Sequence, residues 1–233
     1  MPLRFRGGHR ADNAADGPIA SHAGSMVSAL FLLIFAIAVI VPWTVADSAR
    51  QNTYTEAGAL EEAAWAARGL PPADAGTTRA ALRDYAQFVV ATEWPAMKHR
   101  QLDPRGWQRL DELRSRLIQL DLKDQDQQTA RDAVVSQLQT VYTARRQRGV
   151  DAQAGLPWGV LALTVVTAAF VVLFPLLAGA RPRGWVWAVY ALLAVSIAVG
   201  VYLVFAIDHT FSGPLAVGPK AFSTAWADLG RVP

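Results

Sequence analysis

Cysteine is absent from the 233 residues. Its absence excludes a disulfide framework, thiolate-ligated zinc and a cysteine nucleophile, and leaves the redox compartment unspecified. Charge is also scarce: 18% of residues are Asp, Glu, Lys or Arg, and they sum to +3. Arg outnumbers Lys heavily, but no run is basic enough to engage nucleic acid, which is excluded as a partner. The four histidines, His9, His22, His99 and His209, lie far apart and none stands in ligand spacing. There is no Gly-rich phosphate loop, no nucleophile elbow, no internal repeat and no strand pattern of any length. Glu61 and Glu62 are simply acidic neighbours. Asp121, Asp124 and Asp126 lack the central glycine of a calcium loop and read as a solvated, helix-capping turn. These absences predict no enzyme, no catalytic residue, no metal site and no cofactor.

Apolar residues make up 52% of the chain, and they gather in three blocks. The first covers 25–46, with no charge between Asp16 and Asp47; the second covers 156–180, with none between Asp151 and Arg181; the third covers 184–207 and stops at Asp208. At about 1.5 Å per residue, some 20 apolar residues cross the hydrocarbon layer, so each block is long enough for a span. A buried helix of a soluble protein keeps a polar face, and none of the three has one. Trp43, Trp158, Trp185 and Trp187 stand at the block ends, where amphipathic rings settle at the headgroups. The turn Ala180-Arg181-Pro182-Arg183-Gly184 is short enough only for a helical hairpin. The first block exceeds a signal-peptide core and lacks a convincing cleavage site. The expectation is an all-α integral membrane protein of the cell membrane with three transmembrane helices, the lipid bilayer being its first partner.

The charge count does not orient the chain. One side holds Arg4, Arg6, Arg10, Arg181 and Arg183; the other holds Arg50, Arg145, Arg146, Arg148 and Lys220, which is a tie by the positive-inside rule.

Between the first two blocks, residues 47–152 turn polar, with 15 acidic and 15 basic residues. Asp47 to Arg68 is rich in Ala, Glu and Leu and should prolong the first span as one helix, stopped at Gly69-Leu70-Pro71-Pro72. A second helix is expected from about Thr77, meeting Pro95. Asp103-Pro104 should start a third, with a stripe of Trp107, Leu110, Leu113, Leu117 and Leu120. A fourth is expected over about 126–148. Ordinary packing accounts for these stripes, and the whole reads as an extramembrane helical bundle, closed within one chain or by neighbouring copies. Residues 1–24 read as a flexible polar tail, and 208–233 as a C-terminal segment.

Within the spans, Val27, Phe31 and Phe35 recur at four-residue intervals and share one face of the first helix. Such a stripe packs against lipid or another helix. If several copies surround an axis, it instead becomes a stack of apolar rings that can gate by dewetting. In the third span Ser196 and Gly200 form a small-xxx-small pair suited to close helix contact.

Several segments resemble the bestrophin-like family of bacterial membrane proteins. They are the first span running into Asp47 and Glu56-Ala57, then Tyr85, Glu93-Trp94-Pro95, Arg145-Arg146-Gln147-Arg148 and Leu156-Pro157. The ending Asp208-His209-Thr210-Phe211-Ser212-Gly213-Pro214-Leu215 completes the likeness, which covers about residues 20–230. The resemblance marks Glu56, Glu93, Trp94, Pro95, Asp208, Phe211 and Gly213 as motif residues. It also implies kinship with bestrophins, pentameric anion channels with a hydrophobic neck. On that likeness Val27, Phe31 and Phe35 would be the neck, the chain a homo-oligomer that is pentameric by resemblance, and inorganic ions its cargo. The middle domain would then be cytoplasmic. Bestrophins have four spans where this chain has three, which would put the N-terminus outside. Their calcium-binding acidic cluster has no counterpart here, so calcium gating is not implied.

Two functions follow as expectations. One is an oligomeric ion channel, anion-selective by the resemblance. The other is a non-conducting scaffold or sensor whose helical domain binds a protein partner; it predicts that the stripe packs on spans two and three or on lipid.

Overall fold

The computed structural model describes the backbone of residues 9–181 and 183–231, and side chains from His22 onward. Residues 1–8 and Pro182 of the expected tail and hairpin lie outside the described residues. Among the described residues every regular element is a helix. In chain order they are α1 (His9–Ala66), α2 (Pro72–Phe88), α3 (Trp94–Met97), α4 (Arg105–Ile118), α5 (Gln125–Gln153), α6 (Trp158–Leu177), α7 (Val186–Ile207) and α8 (Lys220–Leu229). Three of these helices, α1, α6 and α7, are long and apolar enough to cross a membrane.

Several boundaries move from their expected places, each for a local reason. Helical backbone begins at His9, inside the segment expected to be a tail. α2 starts at Pro72 rather than Thr77, because proline suits the first helical position, where its missing N–H would have no partner anyway. α5 is longer than expected at both ends. Its start is fixed by Asp124, whose carboxylate accepts from the backbone N–H groups of Asp126 and Gln127. Asp103 likewise accepts from the N–H of Arg105 at 2.9 Å and opens α4. α8 was not expected at all. Its apolar positions Ala221, Phe222, Ala225 and Leu229 are buried at helical spacing.

The chain divides into two compact units, 1–41 with 156–208, and 42–155 with 209–233. In the first, the early part of α1 joins α6 and α7. Thr164 and Thr167 are buried there and return their hydroxyls to the carbonyls of Val160 and Leu163, which satisfies them in an apolar setting. The outward side chains, among them Leu32, Val166 and Leu192, are apolar and exposed, as a lipid-facing surface requires. The second unit holds the rest of α1, α2 to α5 and α8 around a core that includes Leu60, Leu82, Val89, Leu110, Leu117, Leu138 and Val141.

Candidate functional site

Among the described residues, four charged side chains of the second unit have no exposed surface: Glu56 on α1, Glu93 just before α3, and Arg145 and Arg148 on α5. Ionised groups are almost never fully buried unless paired, so their pairing is the first question. The spacing of the two arginines, three residues apart, puts both on one face of α5. Glu93 needs more help. Tyr85, Val89, Glu93 and Met97 recur every four residues, and in a regular helix this would carry Met97 roughly 120° around from Tyr85. The backbone instead widens over Val89–Glu93 into a single π-helical turn, which keeps all four side chains at 0–1% exposure. Pro95 stands just beyond, with no N–H to return to the carbonyl of Ala91, so a regular ladder could not run through this point. Isolated π turns of this kind often mark functional positions.

The four charges form a closed network. Arg148 grips Glu56 through two bonds, Nε to Oε2 at 2.8 Å and Nη2 to Oε1 at 3.0 Å. Its remaining nitrogen, Nη1, lies 2.7 Å from Glu93 Oε1 and contacts the sulfur of Met97. Arg145 grips Glu93 in the same forked way, at 2.7 and 2.6 Å, and donates to the carbonyl of Asp103 at 2.8 Å. The Tyr85 hydroxyl ties the pairs together, donating to Glu56 at 2.6 Å and accepting from Arg145 at 3.2 Å. Two negative and two positive charges cancel, and forked guanidinium–carboxylate pairs are the strongest hydrogen bonds available here. One donor is left over: Nε of Arg145 has no partner.

Aromatic rings wall the network. Arg145 lies 4.8 Å over Trp107, and Arg148 lies 5.2 Å from Phe222 of α8 and 5.8 Å from Trp94. Trp94 meets Phe211 edge-on at 5.5 Å. Gly106 lets the fork approach: a Cβ there would sit 2.2 Å from Nη2 of Arg145. Burial, and then the Glu56 carboxylate, push the Tyr85 phenol well above its ordinary range, so it stays a proton donor. Burial is the largest influence on Arg148 and lowers its pKa, but Glu56, Tyr85 and Glu93 together outweigh it and the net shift is upward. Arg145 shows the same balance: burial lowers its pKa, Tyr85 and Glu93 raise it further, and the result is again upward. Tyr85 therefore keeps its proton and both arginines their charge across physiological pH. The arrangement is a fixed electrostatic clasp; it presents no free nucleophile or base.

The sequence matches the bestrophin-like domain over residues 1–222. The chain belongs to the bestrophin-like family. No curated protein and no solved structure matches it.

In this bestrophin-like protein the motif residues sort by place. Glu56, Glu93, Trp94 and Phe211 meet in the clasp, and Pro95 follows its π turn. Gly213 adopts φ +98° in the turn before α8, a conformation only glycine takes without strain. Asp208 lies in the other unit, where its carboxylate accepts from the backbone N–H of Leu156 at 2.6 Å and ties the end of α7 to the approach to α6. The sequence reading missed the clasp as a clasp. The pairs Arg148–Glu56 and Arg145–Glu93 join positions 92 and 52 residues apart, beyond the reach of any local spacing.

The stripe on the first span turns inward. Phe31 is 7% exposed and stacks on Phe35 with ring centroids 5.6 Å apart, while Val27 is half-buried. The ring of Phe35 lies against Gly200, 3.0 Å from where a Cβ would stand. Of the small-residue pair, Gly200 makes the close approach. Ser196 is exposed and bonds back to the carbonyl of Leu192 in its own helix. A different face of α1 is open: Leu30, Leu33, Ile37 and Ile40 are 48–62% exposed. Among the described residues no three acidic or histidine side chains converge as metal ligands.

Proposed function

We propose that this bestrophin-like protein assembles from several copies in the cell membrane into an ion channel, with pentameric copy number and anion selectivity drawn from the family likeness. The supporting observation is the open face of the first span. Leu30, Leu33, Ile37 and Ile40 fall at i, i+3, i+7 and i+10 on a helix that runs on past the apolar block. Around a shared axis they would stack into an apolar constriction that closes by dewetting. Phe31 and Phe35, packed on the chain's own helices, then brace the wall from behind. In this reading the neck belongs to the leucine and isoleucine face, and Val27, Phe31 and Phe35 hold it in register.

The test is current through purified protein in planar bilayers. Ile37→Ser wets the constriction and should raise basal conductance about tenfold or more, while Phe35→Ser should lower thermal stability without a leak. A leak from Phe35→Ser and none from Ile37→Ser would return the neck to the aromatic stripe. Silence from the wild type and both variants would end the channel reading.

The inward packing of the stripe also favours a second reading, a non-conducting scaffold or sensor whose helical unit binds a protein partner. It predicts silent bilayers from a folded, membrane-inserted protein.

A further inference from the structure

The two connections that flank α4 carry opposite charge. Before it, residues 98–105 hold three basic side chains to one acidic; after it, residues 119–126 hold three acidic to one basic. The fold puts them at opposite ends of α5. Asp124, in the acidic connection, caps the start of that helix. The basic connection lies on its last turns. Met97, just before it, touches Arg148; the carbonyl of Asp103 accepts from Arg145; and Leu102 packs on Gly149, 2.8 Å from where a Cβ would stand. From Asp124 to Gly149 the helix runs about 37 Å. Four residues beyond Gly149 it ends at Gln153, and residues 154–157 lead on to Trp158, which is 82% exposed at the start of the second span. By the path of the chain, the basic end of the unit is the one next to the headgroups.

The positive surplus at this end is on the surface. Arg105 and Asp103 close on each other at 2.6 Å, so the net charge of the connection is that of Lys98 and Arg100, both exposed. Arg146, three residues before Gly149, adds a third exposed cation. The acidic groups here do not offset them: Asp151 is buried, and Asp47 lies 3.9 Å from Arg50. One turn past Arg146 on the same face, Val150 is 62% exposed. A helix C-terminus favours cations over its last turn, which does not reach Arg146, two turns inside α5. An anionic bilayer surface accounts for all of them, because each Lys or Arg close to it gains about fivefold in affinity, and Val150 can enter the interface. We infer that the surface formed by Lys98, Arg100 and Arg146 docks on anionic phospholipid headgroups of the leaflet that α5 approaches. The docking is independent of whether the protein conducts.

The test uses purified full-length protein in nanodiscs of phosphatidylcholine, alone or mixed with phosphatidylglycerol. Anionic discs should raise the melting midpoint by about 5 °C over neutral ones at low salt. The gain should fade towards 1 M salt, where the screening length is about 3 Å. Lys98→Gln with Arg100→Gln and Arg146→Gln should lose most of it. Arg114→Gln with Arg116→Gln and Lys123→Gln, the same charge change at exposed positions towards the acidic end, should keep it. Because the chain has no cysteine, bimane can be placed on His99→Cys or Lys123→Cys alone. Lipid spin-labelled at the headgroup should quench the first at least threefold more than the second, and more in anionic than in neutral discs. No gain from anionic lipid, a gain that the first triple variant keeps, or equal quenching at the two positions overturns the inference. An equal gain from inorganic phosphate in neutral discs would show a site for soluble anions and overturn the lipid assignment. If the first triple variant fails to fold, the quenching comparison decides.

Discussion

Removing one arginine from the clasp gives a sharp test of how the second unit is held together. Arg148→Met keeps most of the side-chain volume and takes away the guanidinium. Glu56 then loses both of its forked bonds, at 2.8 and 3.0 Å, and keeps only the Tyr85 hydroxyl. Glu93 loses its 2.7 Å contact with Arg148 and keeps Arg145. A buried carboxylate stranded in this way costs about 3–5 kcal/mol, a large share of the 5–15 kcal/mol that holds a domain folded. At roughly 3 °C per kcal/mol for a chain of this size, the unfolding midpoint should fall by about 10 °C. Adding Glu56→Gln to Arg148→Met removes the stranded charge and should recover about 2 kcal/mol or more, which a double-mutant cycle reads as coupling. The assay is thermal unfolding of the full chain in detergent followed by tryptophan fluorescence, for which Trp94, 5.8 Å from Arg148, is a local reporter. Arg231→Met is the control. Its pair with Asp228 is exposed, and such pairs contribute about 0–1 kcal/mol. If Arg148→Met destabilises no more than Arg231→Met, the clasp is not holding the unit and the reasoning fails.

Gly106→Ala should destabilise by about 1–3 kcal/mol, because the new methyl would sit 2.2 Å from the Arg145 fork; chemical denaturation measures it. Gly200→Val should lower thermal stability by forcing the Phe35 ring away, whereas Ser196→Val, on an exposed position, should leave it within about 0.5 kcal/mol. Asp151 is buried beside Gln147, one of its carboxylate oxygens lacks a partner, and burial raises its pKa. A carboxyl that binds its proton more tightly when folded penalises the fold above its raised pKa, and the penalty disappears below the unfolded value of about 3.9. Asp151→Asn should therefore raise the unfolding midpoint at pH 7–8, and the gain should shrink steadily towards pH 4 in a melting series.

The three spans were legible because apolar length is a one-dimensional signal: no charge interrupts 152–180 or 184–207, and no tertiary detail is needed to see it. The continuation of the first helix and its stop at Gly69-Leu70-Pro71-Pro72 were legible from a different local signal, the Ala, Glu and Leu content of 47–68 followed by a glycine and two prolines. α8 could have been read from Ala221, Phe222, Ala225 and Leu229, which stand at helical spacing behind Pro219. The clasp was half visible. Glu56, Glu93 and the pair Arg145 and Arg148 stood out by likeness to a family, not by chemistry, and nothing local said that they meet. The facing of the Phe31–Phe35 stripe was likewise undetermined, since spacing shows which residues share a face but not what that face touches. Gly200, noted as one of a small pair within its own helix, proved to be the floor under Phe35.

The widened turn at Val89–Glu93 also imposes a rule on the gene's length here. Inserting one residue between Tyr85 and Glu93 would swing the carboxylate by about 100°, out of reach of both arginines at once, whereas deleting one would restore an ordinary helix with the two residues still within about 20° of one face. A stretch of this kind tolerates exchange of side chains far better than the gain of a single codon, and its residue count is as much a part of the clasp as the charges themselves.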